Sequence, residues 1–508
     1  MSVVKRVFVA PDPGRLRLRA AMRAVLGIGL AVVACGAVGH SLVAAITGGL
    51  AALLALFTVT DPSVRSQAVT TALLPVVGLP VFALAAVLHG HPWARDLAFL
   101  AIVGGGVFAR RWGPRGHALG VFAFMAFFVA QFLHMVPSQL PELYVAVLLS
   151  LAMAAAVRFG AWCYERRHSA PVVMTAPAPG RGLYRATTRQ AVQAVVGAGF
   201  ALAVGQLLSP DRWYWAVGAT WWIFVNTTSR GETLVRGFRR VLGTVIGVGI
   251  GLAVAVPLHG APVPTAVLIA LCVFGIFYTA AVSYTWMMLA VTVMASLLYG
   301  LLGVLNTDLL ALRFFETGVG MTGSVLAVLL VLPITTHATT DAWVRHALHS
   351  VRASAATAAA RLAGADADPL PHIAELEFTL NKVRLSLAPL VHPLNPLRAR
   401  KARARQVLAY LDDCARQAHQ LAAIAADAEA SHDQRLTAAC ERVEAAVAVL
   451  VSSPSTADSA ARAVAPEHKD ATAAAEHPAL AHLHALERAL VGLGRPLQAA
   501  PGSPLADA

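Results

Sequence analysis

The densest chemical signal in the chain is RGETLVRGFRRVLGTVIGVGIG, running from Arg230 to Gly251. Arg236, Arg239 and Arg240 stand at i, i+3 and i+4, so a helix brings their guanidinium groups to one face. Guanidinium stays charged at any cellular pH and binds a carboxylate through two parallel N–H donors, which suits the gathering of organic anions. Thr244 follows one turn after Arg240. Gly243, Gly247 and Gly251 then recur at every fourth position, a stripe on which another helix backbone can pack closely. A plainer reading fits the same residues: a basic membrane flank followed by a packing seam.

Two further groups could carry chemistry. Asp308, Arg313 and Glu316 open a later apolar segment, where Arg313 and Glu316 lie one turn apart and can pair. Such a pair is either structural or the seat of a proton acceptor, Glu316 or Asp308, with Glu142 as the matching group earlier in the chain. The run WYWAVGATWWIFVN places Trp213 and Trp215 at an interface, whereas Trp221, Trp222 and Asn226 could meet a flat aromatic solute by stacking and one hydrogen bond. His89 and His259 read as polar helix ends.

Enzyme signatures are missing from the sequence: there is no GxSxG, HExxH or GxxxxGK[ST]. Five scattered cysteines form no CxxC, and the pairs His346/His349 and His482/His484 have no third ligand nearby. No enzymatic activity, cofactor or metal site is expected.

The elements that must hold these residues are membrane helices. Hydrophobic residues make up 57% of the 508 positions and charged ones 13%, and the mean hydropathy is +0.65. Residues 24–60 and 241–307 contain no Asp, Glu, Lys or Arg, and about 20 apolar residues cross a bilayer. Turn and charge signals predict twelve helices at 20–38, 42–59, 67–88, 96–109, 117–135, 142–160, 189–208, 213–228, 238–257, 264–281, 285–302 and 312–332.

The text is also written twice. RAAMRAVLGIGLAV from Arg19 is echoed by RATTRQAVQAVVGAGFALAV from Arg185, and TALLPVVGLPVFALAAVLHG by RVLGTVIGVGIGLAVAVPLHG. Six helices per copy make the repeat parallel, at 18–160 and 185–333, joined by a linker at 161–184. With a cytoplasmic N-terminal tail at 1–17, Lys and Arg concentrate in inside segments, while the outside ones hold Arg95, Arg212 and Arg313. The formal charge of +13 therefore reports topology, with no nucleic-acid partner implied. Both termini are expected in the cytoplasm of a multi-pass cytoplasmic-membrane protein.

Beyond residue 333 the chain becomes Ala-rich and charged. Stripes such as Val344, Leu348, Val351, Ala355, Ala358 and Leu362 predict a cytoplasmic helical bundle over 334–453, with Asp368 and Asn395 as N-caps. Residues 454–508 read as a largely mobile tail carrying one short helical stretch.

YWAVGATWWIFVN leading into RGFRRVLGTVIGVGIG, with LLALRFFETGVGMTGSVLAVLLVLP closing the second copy, resembles the fusaric acid resistance protein-like family, of the aromatic acid exporter type. RGFRRVLGT is also similar to a segment of the plant aluminium-activated malate transporters. The resemblance implies an all-α transporter or conductance for organic anions, with proton-motive force as the usual driving force of the exporters. On that basis Arg236, Arg239, Arg240, Thr244, Trp221, Trp222 and Asn226 are expected along an anion pathway, and Glu316, Asp308 and Arg313 in proton coupling. A passive anion channel and a membrane scaffold acting through the bundle are the alternatives. The partners expected are the bilayer, a small organic anion, and a second copy or accessory protein at the bundle.

Overall fold

The computed structural model describes residues 15–165, 185–225, 227, 230–332, 336–391, 398–427, 434–451 and 478–497. Among them every regular element is helical, with no strand. The chain divides into two compact units, residues 1–170, 178–228 and 233–333 in one, and residues 171–177, 229–232 and 334–508 in the other.

The helices of the first unit begin with α1 (Leu16–Ala37), α2 (Leu42–Thr58), α3 (Val64–Val87), α4 (Pro92–Ala109), α5 (Gly113–Phe132) and α6 (Leu140–Glu165). They continue with α7 (Ala186–Leu208), α8 (Tyr214–Phe224), α9 (Arg230–Leu258), α10 (Pro262–Thr279), α11 (Tyr284–Leu301) and α12 (Thr307–Leu330). Local chemistry sets several starts. The Ser41 hydroxyl accepts the Ala44 N–H at the head of α2, Ser63 and Ser66 cap α3 reciprocally, and Pro92 and Pro262 occupy first-turn positions.

Among the described residues nine helical stretches are long and apolar enough to cross a membrane. Large apolar side chains such as Val33, Val76, Leu97 and Leu271 point outward from them. In water such a surface would aggregate; in a bilayer it is the surface that acyl chains cover. The chain is a multi-pass membrane protein.

Two helices depart from their expected lengths. Among the described residues of the segment expected at 213–228, Tyr214–Phe224 are helical, and 11 residues extend about 16 Å against a hydrocarbon core of about 30 Å. In contrast, α9 begins at Arg230 rather than near 238. Its polar first turns continue the same helix, which puts Arg240 about 15 Å from the helix start instead of at its lip.

Helices α1, α2 and α6 pack together, as do α4 and α5; α7, α8 and α12 pack together, as do α10 and α11. Between these groups α10 meets α1, and α4 meets α7. Phe99, Phe124, Phe127, Trp213 and Trp221 form an aromatic block at that junction, with Phe124 stacked on Trp221 at 4.4 Å and Phe99 on Phe127 at 4.9 Å.

The second unit contains α13 (Thr336–Leu362), α14 (Leu370–Val391), α15 (Arg398–Asp427), α16 (Gln434–Val451) and α17 (Pro478–Leu497). Leu348, Val351, Leu376, Val383, Leu411 and Val443 are buried in its shared core. The Asp368 carboxylate accepts the Leu370 N–H at 3.0 Å, while Asn395 lies outside the described residues. The expectation of a largely mobile tail is corrected at 478–497. These residues are α17, whose Leu483, Leu486 and Leu490 are buried against α15 and α16. A helix that buries a full apolar stripe is held by the core it completes.

Candidate functional site

A cleft of about 1060 Å³, its open mouth included, lies where α2 and α5 face α8, α9, α10, α11 and α12. Leu54, Phe128, Trp222, Met288 and Val291 are typical of its walls. Among the described residues only two charged side chains line it, Arg240 and Arg313.

Arg240 is 4% exposed. Its Nη1 lies 3.5 Å from both the Tyr284 hydroxyl and the Met288 sulfur, and its Nε has no hydrogen-bond partner. These are long contacts to neutral groups, and a guanidinium taken out of water normally demands a carboxylate. Tyr284 is the hub of this corner. Its hydroxyl donates to the Trp222 carbonyl at 3.3 Å, and its ring carries the Arg236 guanidinium 4.1 Å from the centroid. Arg239 is exposed, so the three arginines divide into one on a ring, one outside and one in the cleft. Thr244 is buried.

Arg313, 5% exposed, lies over Trp215 with Cζ 3.3 Å from the ring centroid, and its Nη1 has no hydrogen-bond partner. Glu316 is 1% exposed, and neither of its carboxylate oxygens has a hydrogen-bond partner. The expected pairing of Arg313 with Glu316 is therefore corrected: no hydrogen bond joins them, because Arg313 is drawn onto an indole from another helix. Asp308 is exposed at the head of α12. Arg95 lies 4.7 Å over Trp213 and Arg212 lies 5.9 Å over Tyr299, so each of the three arginines expected on the outer side rests on an aromatic ring.

The helices that build most of this cleft carry a known pattern. Residues 200–330 match the fusaric acid resistance protein-like family. The match begins within α7 and runs to the end of α12; α1 to α6 and α13 to α17 lie outside it. None of the curated proteins compared with the chain matches it.

Within the fusaric acid resistance protein-like segment, Gly243, Gly247 and Gly251 face α11. A Cβ on Gly243 would come within 2.6 Å of the Thr285 carbonyl oxygen, and one on Gly247 within 2.7 Å of Thr292 Cβ. The stripe thus fixes α9 against α11, the helix that carries Tyr284 and Met288. Trp222 lines the cleft, whereas Trp221 is fully buried in the aromatic block, stacked on Phe124 and outside the cleft wall. Asn226 lies outside the described residues.

Glu142, expected as the counterpart of Glu316, is differently placed. Its carboxylate accepts the Ser41 N–H at 2.6 Å at the head of α2, where a helix N-terminus favours negative charge.

Several functional neighbours have no sequence signal of the usual kind. Tyr284, Met287, Met288 and Met294 sit in an apolar helix where nothing separates cleft-facing from lipid-facing residues. Two more arginines close the ends of the short helices. Arg158 Nη1 donates to the Val59 carbonyl at 2.7 Å and its Nη2 to that of Ala55 at 2.8 Å, at the end of α2. Arg110 Nη1 donates to the carbonyls of Phe224 and Thr227, each at 3.2 Å, at the end of α8. Both supply positive charge to carbonyls at a helix C-terminus.

Chemically, the cleft offers guanidinium donors to an anionic group and aromatic and thioether surface to an apolar body. Each of its two arginines is a buried charge without an ion pair, an arrangement that costs several kcal/mol until an anion completes it.

Proposed function

We propose that the protein is a secondary transporter that exports small organic acids, chiefly aromatic ones, across the cytoplasmic membrane. The observation that carries this reading is the presence of two buried guanidinium groups, Arg240 and Arg313, on one otherwise uncharged cleft. An anion entering there gains charge-assisted hydrogen bonds in a low-dielectric setting, while its ring is covered by Trp222, Phe128 and methionine side chains. The match to the fusaric acid resistance protein-like family over most of the helices that form the cleft supports the same class of function.

In this reading α1 to α12 form a two-copy membrane unit with both termini in the cytoplasm, in which α8 reaches only part of the way across. The junctions α4 with α7 and α10 with α1 support it, since each sets the fourth helix of one copy against the first helix of the other. Arg236 and Arg239 collect the anion on the cytoplasmic side, Arg240 receives it, and Arg313 takes it toward the exit. Glu316, buried beside this route, carries the coupling proton.

The test is reconstitution in liposomes. Outward accumulation of benzoate against its gradient under an imposed pH gradient supports a coupled exporter. Conductance that ignores the pH gradient replaces it with a channel, and no movement of organic anions removes the transport reading.

A further inference from the structure

The second unit is electrically lopsided. Residues 378–411 contain no Asp or Glu, but hold Lys382, Arg384, Arg398, Arg400, Lys401, Arg403 and Arg405. The last five open α15. Cations at a helix head oppose the positive end of the helix dipole, so they do not stabilise the helix that carries them. The first acids on α15, Asp412 and Asp413, pair with Arg384 at 2.6 Å and with Arg416 at 3.6 Å. Ala404 and Val407 turn into the core, while Lys401 and Arg405, at i and i+4, share a face on which Arg405 is exposed. The Lys and Arg bias that orients membrane helices is counted within about 20 residues of their ends, and this cluster lies far beyond that distance from Leu330, the end of α12.

Contacts inside the unit locate the cluster. Thr340, near the head of α13, bonds to Ser386, near the tail of α14, at 3.2 Å, so α14 runs back along α13. Arg361, at the tail of α13, donates to the Ala425 carbonyl, near the tail of α15, at 3.0 Å. The heads of α13 and α15 therefore share one end of the bundle. Asp341, near the head of α13, has Arg345 one turn on at 3.9 Å. The exposed acids Asp366 and Asp368 lie at the opposite end, between α13 and α14. The basic end is also the tethered one. Only residues 331–335 separate the end of α12 from the start of α13, and so short a segment spans at most about 20 Å.

We propose that the head of α15, Lys401, Arg403 and Arg405 with Arg398 and Arg400 before them, is a docking surface for anionic phospholipid headgroups of the bilayer in which α12 ends. Headgroup phosphates supply the negative charge that the helix head lacks, and a guanidinium binds a phosphate through two parallel donors. Each cation near an anionic lipid surface strengthens attachment about fivefold. The short tether makes this an intramolecular encounter, with a high effective concentration of headgroups. The proposal is independent of the transport reading and needs only that α12 is a membrane helix.

The experiment follows hydrogen exchange in full-length protein reconstituted into nanodiscs of phosphatidylcholine alone or of phosphatidylcholine mixed with phosphatidylglycerol. Exchange in the first turns of α15 should be about tenfold or more slower with phosphatidylglycerol, and raised salt should abolish the difference. Exchange in α17 reports that the bundle stays folded. The triple variant Lys401→Gln, Arg403→Gln, Arg405→Gln should exchange alike in both lipids. Equal exchange of the wild type in the two lipids overturns the proposal, as does a phosphatidylglycerol effect that persists in the variant. Equal slowing by inorganic phosphate added to phosphatidylcholine nanodiscs replaces the lipid surface with a site for a free anion, and also overturns it.

Discussion

Arg313 lies over the indole of Trp215 at 3.3 Å, although Glu316 is one helical turn away on the same helix. The ring holds the guanidinium in the cleft wall, where its Nη1 is left without a hydrogen-bond partner. Replacing Trp215 by Leu removes the π face and lets Arg313 turn toward Glu316. Cation–π contacts of this kind are worth about 1–2 kcal/mol when desolvated, so the concentration giving half-maximal efflux should rise about tenfold. Trp215→Phe should recover most of that loss. A Leu variant with the wild-type concentration dependence would show that the indole does not hold Arg313 in service.

Glu316 is buried without a hydrogen-bond partner, and the coulombic fields acting on it come from Arg313 and Arg212. Glu316→Gln keeps the shape and removes the titration. Efflux by this variant should lose its response to an imposed pH gradient while retaining substrate binding. An unchanged response would place the coupling proton elsewhere.

The glycine stripe separates two otherwise similar substitutions. Gly243→Ala places a methyl 2.6 Å from the Thr285 carbonyl oxygen and 2.9 Å from Met288 Cβ, whereas a methyl on Gly249 meets nothing within 4 Å. Forcing α9 and α11 apart should cost about 1–3 kcal/mol, the usual price of overpacking. The unfolding temperature of detergent-solubilised protein should fall by several degrees for Gly243→Ala and stay unchanged for Gly249→Ala. Equal effects would mean that the stripe is not the seam joining the two helices.

Thiol chemistry tests the second unit. Cys414 is fully buried, and burial pushes its thiol up to about 12; Cys440 is raised by burial and by Glu444 and Glu441, whereas Cys163 is exposed. The thiolate is the reactive form, so a raised value means that little of it exists below the pH at which the folded thiol titrates. Between pH 7 and 9, maleimide should modify Cys163 in native protein and leave Cys414 until denaturant is added. Rapid native labelling of Cys414 would contradict its place in the core of α13 to α17.

The expected helix positions overlie the described helices because the signal is local: apolar runs, prolines at first-turn positions and arginine-rich flanks. The short length of α8 is not legible that way. Its apolar text runs on through Val225, and what closes the helix is Arg110, more than a hundred residues earlier in sequence. Arg313 and Glu316 illustrate the same limit. Their spacing predicts a pair, but an indole from α8 competes for the guanidinium, and spacing along one helix carries no record of its neighbours. Met287, Met288 and Met294 face the cleft from a helix whose other face is equally apolar, and Tyr284 on the same helix contacts Arg240, so their role depends on packing alone. In the second unit α17 was readable as a helical stretch but not as core, because the stripe that it completes lies on α15 and α16.

The central claim is that Arg240 receives an organic anion in the cleft. The most direct measurement is efflux of radiolabelled phenylpropanoate from proteoliposomes containing wild-type protein or Arg240→Gln, matched for amount and unfolding temperature. The structure predicts robust efflux by the wild type and a loss of about tenfold or more in the variant, in line with removal of a charge-assisted hydrogen bond worth about 1.5–3 kcal/mol. Equal efflux by the two proteins would contradict the account.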